Sequence, residues 1–246
     1  TFYAVYSEGL TFYYYNGTAH VSKAVTRRML SNGTQYKGSL DQAEPVPAAY
    51  DGATFTSWQY QVSADSSISR EPLTTGVSAL YAKYTKSVSA TFNYHNGTAA
   101  ATATASANRY YVSNTSAGVT TFNNQITVPS AVTANRTIAS VTYTYRGVST
   151  SNSADATVLQ ANAITTANTT YYASYSYTVT LTFNGNGATS GTAPSNVSGT
   201  AYMQYNGTKK AVSLTLPANP FARTGYTLDS TNPWNSNSAG NGTAYK

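Results

Sequence analysis

The chain has 246 residues, with 14 Lys plus Arg against 8 Asp plus Glu, so it carries +6 while only 9% of positions are charged. A hydrophobic content of 41% excludes a disordered polyelectrolyte, and the absence of Cys excludes disulfides and thiol chemistry. No apolar run reaches the roughly 18–20 residues that span a bilayer.

The first predicted elements are two strands. Thr1-Phe-Tyr-Ala-Val-Tyr-Ser7 alternates so that Phe2, Ala4 and Tyr6 share one face. Thr11-Phe-Tyr-Tyr-Tyr-Asn-Gly17 follows, with Phe12 and Tyr14 on one side and Tyr13 and Tyr15 on the other. Its Asn-Gly end predicts a tight turn with positive φ that starts a hairpin. Val21 to Leu30 fits a short helix or a strand. Asp41, Glu44 and Asp51 surround Pro45 and Pro47 and read as a solvated loop.

The opening pattern then recurs. Ala79-Leu-Tyr-Ala-Lys-Tyr-Thr85 precedes Thr91-Phe-Asn-Tyr-His-Asn-Gly97, and Thr170-Tyr-Tyr-Ala-Ser-Tyr-Ser176 precedes Thr182-Phe-Asn-Gly-Asn-Gly187. The aromatic–Ala–Tyr faces, Phe2, Ala4, Tyr6, then Leu80, Ala82, Tyr84 and Tyr171, Ala173, Tyr175, predict a core. The opposite face holds Val5, Lys83 or Ser174, an interchange that a buried surface resists, so that face is expected in solvent. Thr and Tyr favour pleated, half-buried surfaces, and exposed helix formers are scarce, so the chain is expected to be mostly β with little helix.

These repeats predict small modules in series: repeat 1 over 8–85, a divergent repeat 2 over 86–176, and repeat 3 over 177–246 without its closing strand. Residues 1–7 are expected as an isolated closing strand of a preceding or neighbouring module. Two readings of that arrangement stand side by side. Either the chain is cut in phase from a longer array, or Phe2, Ala4 and Tyr6 of one subunit form an assembly strand completing the open sheet of the next.

The stretch from Val179 to Tyr245 resembles the internalin B-repeat family of bacterial surface proteins. The resemblance is carried by Leu181-Thr-Phe-Asn-Gly-Asn-Gly187, Leu214-Thr-Leu-Pro-Ala-Asn-Pro220 and Phe221-Ala-Arg-Thr-Gly-Tyr-Thr227, followed by Trp234-Asn235 and Gly242-Thr-Ala-Tyr245. In the first copy Gly52-Ala-Thr-Phe-Thr-Ser-Trp58 is similar to the family's Gly-aromatic-Thr-Phe-x-Gly-Trp element, and the middle copy matches at its two ends. The resemblance implies compact β-grasp-like modules used as spacers or binding units in an adhesin.

Chemistry finds little purchase. The eight carboxylates are Glu8, Asp41, Glu44, Asp51, Asp65, Glu71, Asp155 and Asp229, with no pair poised for glycoside hydrolysis. His20 and His95 flank turns of different repeats and read as surface histidines, so no metal is expected. No phosphate loop, dinucleotide fingerprint or nucleophile elbow occurs, and no cofactor or catalytic residue is expected. Lys and Arg are scattered, with only Arg27-Arg28 and Lys209-Lys210 adjacent, which argues against a nucleic-acid partner. A Lys–Asn or Lys–Asp crosslink is disfavoured, because only Lys83 sits in a predicted strand. Nine Asn-x-Ser/Thr triplets, including those at Asn32 and Asn168, are a mild excess for this composition.

The expectation is a non-enzymatic, secreted or cell-surface bacterial segment that acts as a stalk or attachment module of an adhesin or fibre. Its partners would be neighbouring repeats, copies of itself, or a surface protein or glycan. The alternative is a carbohydrate-binding module that uses exposed Tyr13 and Tyr15, with Tyr36 and Tyr60 nearby. The competing view of those tyrosines is that a neighbouring strand covers them.

Overall fold

A computed structural model describes residues 2, 4–31, 36–71, 76–116, 118–159, 163–165, 169–231 and 233–246; Asn32 and Asn168 lie outside them. The chain is mostly β, 52% strand and 3% helix, in mixed sheets. It divides into two compact units: 1–91 with 104–128 and 163–169, and 92–103 with 129–162 and 170–246. These units do not follow the repeat boundaries. The 85/86 and 176/177 boundaries fall inside continuous strands. Ala79–His95 carries both the YAxY segment and Thr91–His95, whereas Thr169–Leu181 stops before Thr182-Phe-Asn-Gly-Asn-Gly187, a segment expected as a strand that lies outside any strand.

The first unit opens with a long hairpin, β1 (Val5–Tyr15) against β2 (His20–Ser31), and β3 (Tyr36–Leu40) pairs with β2. Val21–Leu30 is therefore strand. Val5–Ser7, expected within an isolated strand, pair with Leu30, Met29 and Arg28. Next come β4 (Thr54–Gln59), β5 (Ala79–His95), β6 (Ala100–Ser113), β7 (Val119–Asn123) and β8 (Gln125–Thr127), with residues 92–95 of β5 and 100–103 of β6 belonging to the second unit. In this unit β5 pairs parallel to β1, with Phe12 opposite Leu80, and antiparallel to β4, with Trp58 opposite Ala82.

After a one-turn helix (Ser130–Thr133), the second unit holds β9 (Arg136–Ile138) and β10 (Val141–Ser149). The chain returns to the first unit for β11 (Ala163–Thr165), which pairs with β8, and then enters β12 (Thr169–Leu181). The second unit is completed by β13 (Val197–Gln204), β14 (Lys209–Lys210), β15 (Trp234–Asn235) and β16 (Ala244–Tyr245). Here β12 pairs with β10 and β13, and β15 pairs with β16.

Both expected hairpins form, through four-residue connections rather than two-residue turns. Asn16 Oδ1 accepts from the Thr18 and Ala19 amides at 2.9 Å each, and Asn96 Oδ1 from those of Thr98 and Ala99 at 2.8 and 2.9 Å. Such side-chain acceptors close a turn locally, while Gly17 (φ 102°) and Gly97 (φ 106°) take the conformation that a Cβ would strain.

The closing strands β5 and β12 are built alike. Phe55 lies opposite Tyr84 and Trp58 opposite Ala82, with a bulge between Phe55 and Ser57. Tyr145 lies opposite Tyr175 and Val148 opposite Ala173, with a bulge between Tyr145 and Gly147. The expected core face is buried in both: Leu80, Ala82 and Tyr84 are 0% exposed, and Tyr171, Ala173 and Tyr175 at most 7%. The matching Phe2, Ala4 and Tyr6 face, expected in the core on the same pattern, is exposed instead. Each closing tyrosine also reaches the backbone just before an Asn-Gly turn. The Tyr15 amide donates to Tyr84 Oη at 2.7 Å, and the His95 amide donates to Tyr175 Oη at 3.3 Å.

The second face departs from expectation, because Lys83 and Ser174 are each 2% exposed. Lys83 Nζ donates to the Ala64 carbonyl (2.6 Å) and Ser66 Oγ (3.1 Å) and lies 4.2 Å from the Tyr110 ring centre. Neither hydrogen-bond acceptor is the acyl group of an Asn or Asp. In the second unit the cation comes from another strand. Arg146 donates to Ser174 Oγ (2.9 Å) and the Ala154 carbonyl (3.2 Å), with its guanidinium 4.3 Å from the Tyr202 ring centre. Arg146 occupies the bulge that Thr56 fills in the first unit.

Two tests follow from these correspondences. Tyr84→Phe strands the half-buried Tyr15 amide and should lower stability by about 1–3 kcal/mol, whereas Tyr145→Phe removes a buried hydroxyl with no partner among the described residues and should not. Equal losses in chemical denaturation would contradict this. Lys83→Ser should also cost about 1–3 kcal/mol, and adding Thr56→Arg should restore part of the loss by moving the cation to the bulge. A double variant no more stable than Lys83→Ser would refute the equivalence.

Candidate functional site

In the first unit Phe12 and Trp58 pack at 4.7 Å between ring centres, tilted by 59°, beneath Leu80, Ala82 and Tyr84 of β5. Trp58 is 4% exposed and Phe12 0%. The second unit contains an equivalent pair beyond β12: Phe183 and Trp234 pack at 4.8 Å, tilted by 52°. Among the described residues no closing strand lies over them, and both rings are half-buried. A groove of about 670 Å³ opens there, lined by Phe183, Phe221, Arg223, Tyr226, Trp234 and Asn235 among others.

Local bonds hold this groove in shape. Trp234 Nε1 donates to the Pro217 carbonyl at 3.0 Å, and Asn219 Nδ2 donates to the Pro233 carbonyl at 2.7 Å. The Phe221 amide donates to Asn219 Oδ1 at 2.9 Å, and the ring sits 6.2 Å from Trp234 in an edge-on contact. Gly185 lies tight beneath Phe221: a Cβ there would meet the ring at 2.9 Å. β16 takes one edge of β15, with the Ser236 amide donating to the Thr243 carbonyl at 2.9 Å; among the described residues no strand pairs with the other edge.

The residues expected to bind ligand lie elsewhere and are committed to neighbours. Tyr13 stacks on Tyr81 at 5.3 Å and 17°. Tyr15 packs against His20 (5.1 Å) and Tyr50 (5.2 Å), and its hydroxyl donates to the Gly17 carbonyl at 3.0 Å. Both are half-buried. The expected assembly residues are the opposite case: Phe2 is 104% and Tyr6 63% exposed, and Ala4 is exposed as well.

Several titratable groups are engaged in structural contacts, whereas neither ring nitrogen of His20 has a hydrogen-bond partner among the described residues. Asp41 accepts from the Thr26 amide (2.7 Å), Glu44 from the Trp58 indole (2.5 Å) and Asp51 from the Tyr111 hydroxyl (2.5 Å). The Tyr111 bond, ahead of nearby Lys86, holds Asp51 below the usual carboxylate range. His95, expected at the surface, is buried; its Nδ1 accepts from the Gly97 amide at 3.0 Å, and burial followed by nearby Arg136 lowers its pKa. His20 is half-buried between Tyr15 and Tyr50, and burial lowers its pKa too. No group of three His, Cys, Asp or Glu able to hold a metal occurs among the described residues.

Sequence reasoning missed the groove because its rings are dispersed from Phe183 to Trp234 and no single motif joins them. The available signal was the Phe12–Trp58 and Phe183–Trp234 correspondence between the first and last copies. Comparison with protein-family models, curated proteins and solved structures yields no match to this chain. Among the described residues no helix is long and apolar enough to cross a membrane.

The Asp155–Lys210 pair supplies a pH test. The Lys210 hydrogen bond, then that of Ser153, pulls the Asp155 carboxyl down to about 2. A depressed carboxyl stabilises the fold above its unfolded pKa and loses that contribution as pH falls through the folded value. The parent should lose stability relative to Asp155→Asn as pH drops from about 4 towards 2. Parallel acid-unfolding curves for the two proteins would contradict the assignment.

Proposed function

We propose that this chain is a non-enzymatic, extracellular repeat segment of a bacterial surface adhesin or fibre, a stalk or attachment module made of tandem β-grasp-like repeats. The observation that carries this reading is the twin construction of β5 and β12. Each is sealed by an aromatic–Ala–Tyr face and anchored by a tyrosine hydroxyl to the strand before an Asn-Gly turn. A construction used twice in one chain suits serial elements that transmit load. The likeness of 179–245 to internalin B-repeats supports the same reading. So does the engagement of Asp41, Glu44, Asp51 and His95 in separate structural contacts.

The chain is further read as joining copies head to tail through residues 1–7. The carbohydrate-binding alternative has weaker support, since the rings of Tyr13 and Tyr15 are already packed against neighbours. Single-molecule stretching between residues 1 and 246 tests the mechanical role. Discrete rupture events with refolding on relaxation are expected. Featureless extension, turnover of a glycoside or ester library, or glycan binding abolished by Tyr13→Ala or Tyr15→Ala would overturn it.

A further inference from the structure

We infer that the groove over Phe183 and Trp234 is the acceptor for a β-strand of a second copy of this chain, and that the donor is the Phe2–Tyr6 face. The inference rests on the head-to-tail reading above and assigns it a site and a register.

The template lies within the first unit. There β5 runs parallel to β1 through Thr11, Phe12 and Tyr13 and antiparallel to β4 through Thr54 to Gln59. It covers the Phe12–Trp58 pair with Leu80, Ala82 and Tyr84. In the last copy Thr182, Phe183 and Asn184 stand for Thr11, Phe12 and Tyr13, and Trp234 stands for Trp58. The ring pairs differ by 0.1 Å in separation, 4.7 against 4.8 Å. One edge of β4 is taken by a return segment, with Ser69 opposite Gln59 and the Arg70 amide donating to the Trp58 carbonyl. β16 takes the corresponding edge of β15, leaving the other for a closing strand.

The donor is on the same chain. Phe2, Ala4 and Tyr6 repeat the spacing of Leu80, Ala82 and Tyr84 and of Tyr171, Ala173 and Tyr175, yet Phe2 and Tyr6 are exposed where those residues are buried. Joining need not melt the hairpin, because β5 itself pairs with β4 and with β6. Docking on this template puts Phe2 opposite Phe183 and Ala4 opposite Trp234. Two aromatic side chains bury roughly 150–250 Å² each, so both partners together lose roughly 600–1,000 Å². That lies below the roughly 1,200–2,000 Å² of stable specific interfaces, so the contact is a weak, concentration-dependent one, with main-chain bonds adding to it.

The test uses the 246-residue chain. Sedimentation should show head-to-tail oligomers that grow with concentration, and Phe2→Asp with Tyr6→Asp should weaken association by at least ~30-fold. Both positions are exposed, so folding should survive, as far-UV circular dichroism would show. A peptide of sequence TFYAVYS should compete with assembly and shift Trp234 emission to the blue; the other tryptophan, Trp58, is already buried. A peptide with Asp at its second and sixth positions should do neither. A monomer at every concentration with no emission change overturns the inference, as does association that persists in the double variant. In either case stretching measurements on single chains still report on the stalk role. Sealing of the groove by a strand covalently linked beyond Lys246 in the native protein would also overturn it, and would appear as a native species that the peptide cannot label.

Discussion

The closing strand is the element on which the packing of the first unit depends. β1 and β4 are brought together by β5, which pairs with both and places Leu80, Ala82 and Tyr84 over Phe12 and Trp58. Tyr84 does double duty: its ring is fully buried while its oxygen satisfies the Tyr15 amide. A buried donor without a partner costs more than an ordinary hydrogen bond contributes, so one phenol couples core packing to the geometry of the Asn16–Gly17 turn. Tyr175 repeats the arrangement at His95, where its oxygen both accepts from the amide and donates to the carbonyl.

That coupling explains which sequence signals translated into structure. The period-2 alternation of 79–85 and 170–176 reported a buried face because large aromatic and small Ala side chains recur there under one constraint, the close approach of the partner strand. The Asn-Gly dipeptides reported hairpins because Asn Oδ1 closes the turn from within. Alternation alone could not reveal that the YAxY strand and the strand after it are one, since nothing at Ser87 to Ala90 marks either a break or a continuation. Nor could the interchange of Val5, Lys83 and Ser174 identify an exposed face.

The failure at Lys83 has a specific cause. Expecting one position to hold one kind of residue assumes that the charge and its position travel together. Here the charge sits over a tyrosine on the following strand, Tyr110 or Tyr202, and can be delivered from either neighbouring strand. Lys83 arrives from the closing strand; Arg146 arrives from the bulge opposite, and Ser174 shrinks to make room and accept from it. A buried ammonium and a half-buried guanidinium both require acceptors, and each finds a loop carbonyl, Ala64 or Ala154. What the two units share is the electrostatic site, not the residue at an aligned position.

The same logic bears on the groove. If the Phe–Trp contact depended on a closing strand, Phe183 and Trp234 would separate, since no such strand lies over them among the described residues. Instead they keep the distance and tilt of Phe12 and Trp58, held by the Trp234–Pro217 and Asn219–Pro233 bonds and by the close fit of Gly185 under Phe221. The acceptor face is therefore organised before any strand reaches it. Association of a preformed groove with an exposed strand loses less conformational entropy than assembling the groove at the same time. In the proposed assembly, rigidity of the receiving surface, rather than its area, would give so small an interface the means to select a strand of aromatic–Ala–Tyr spacing.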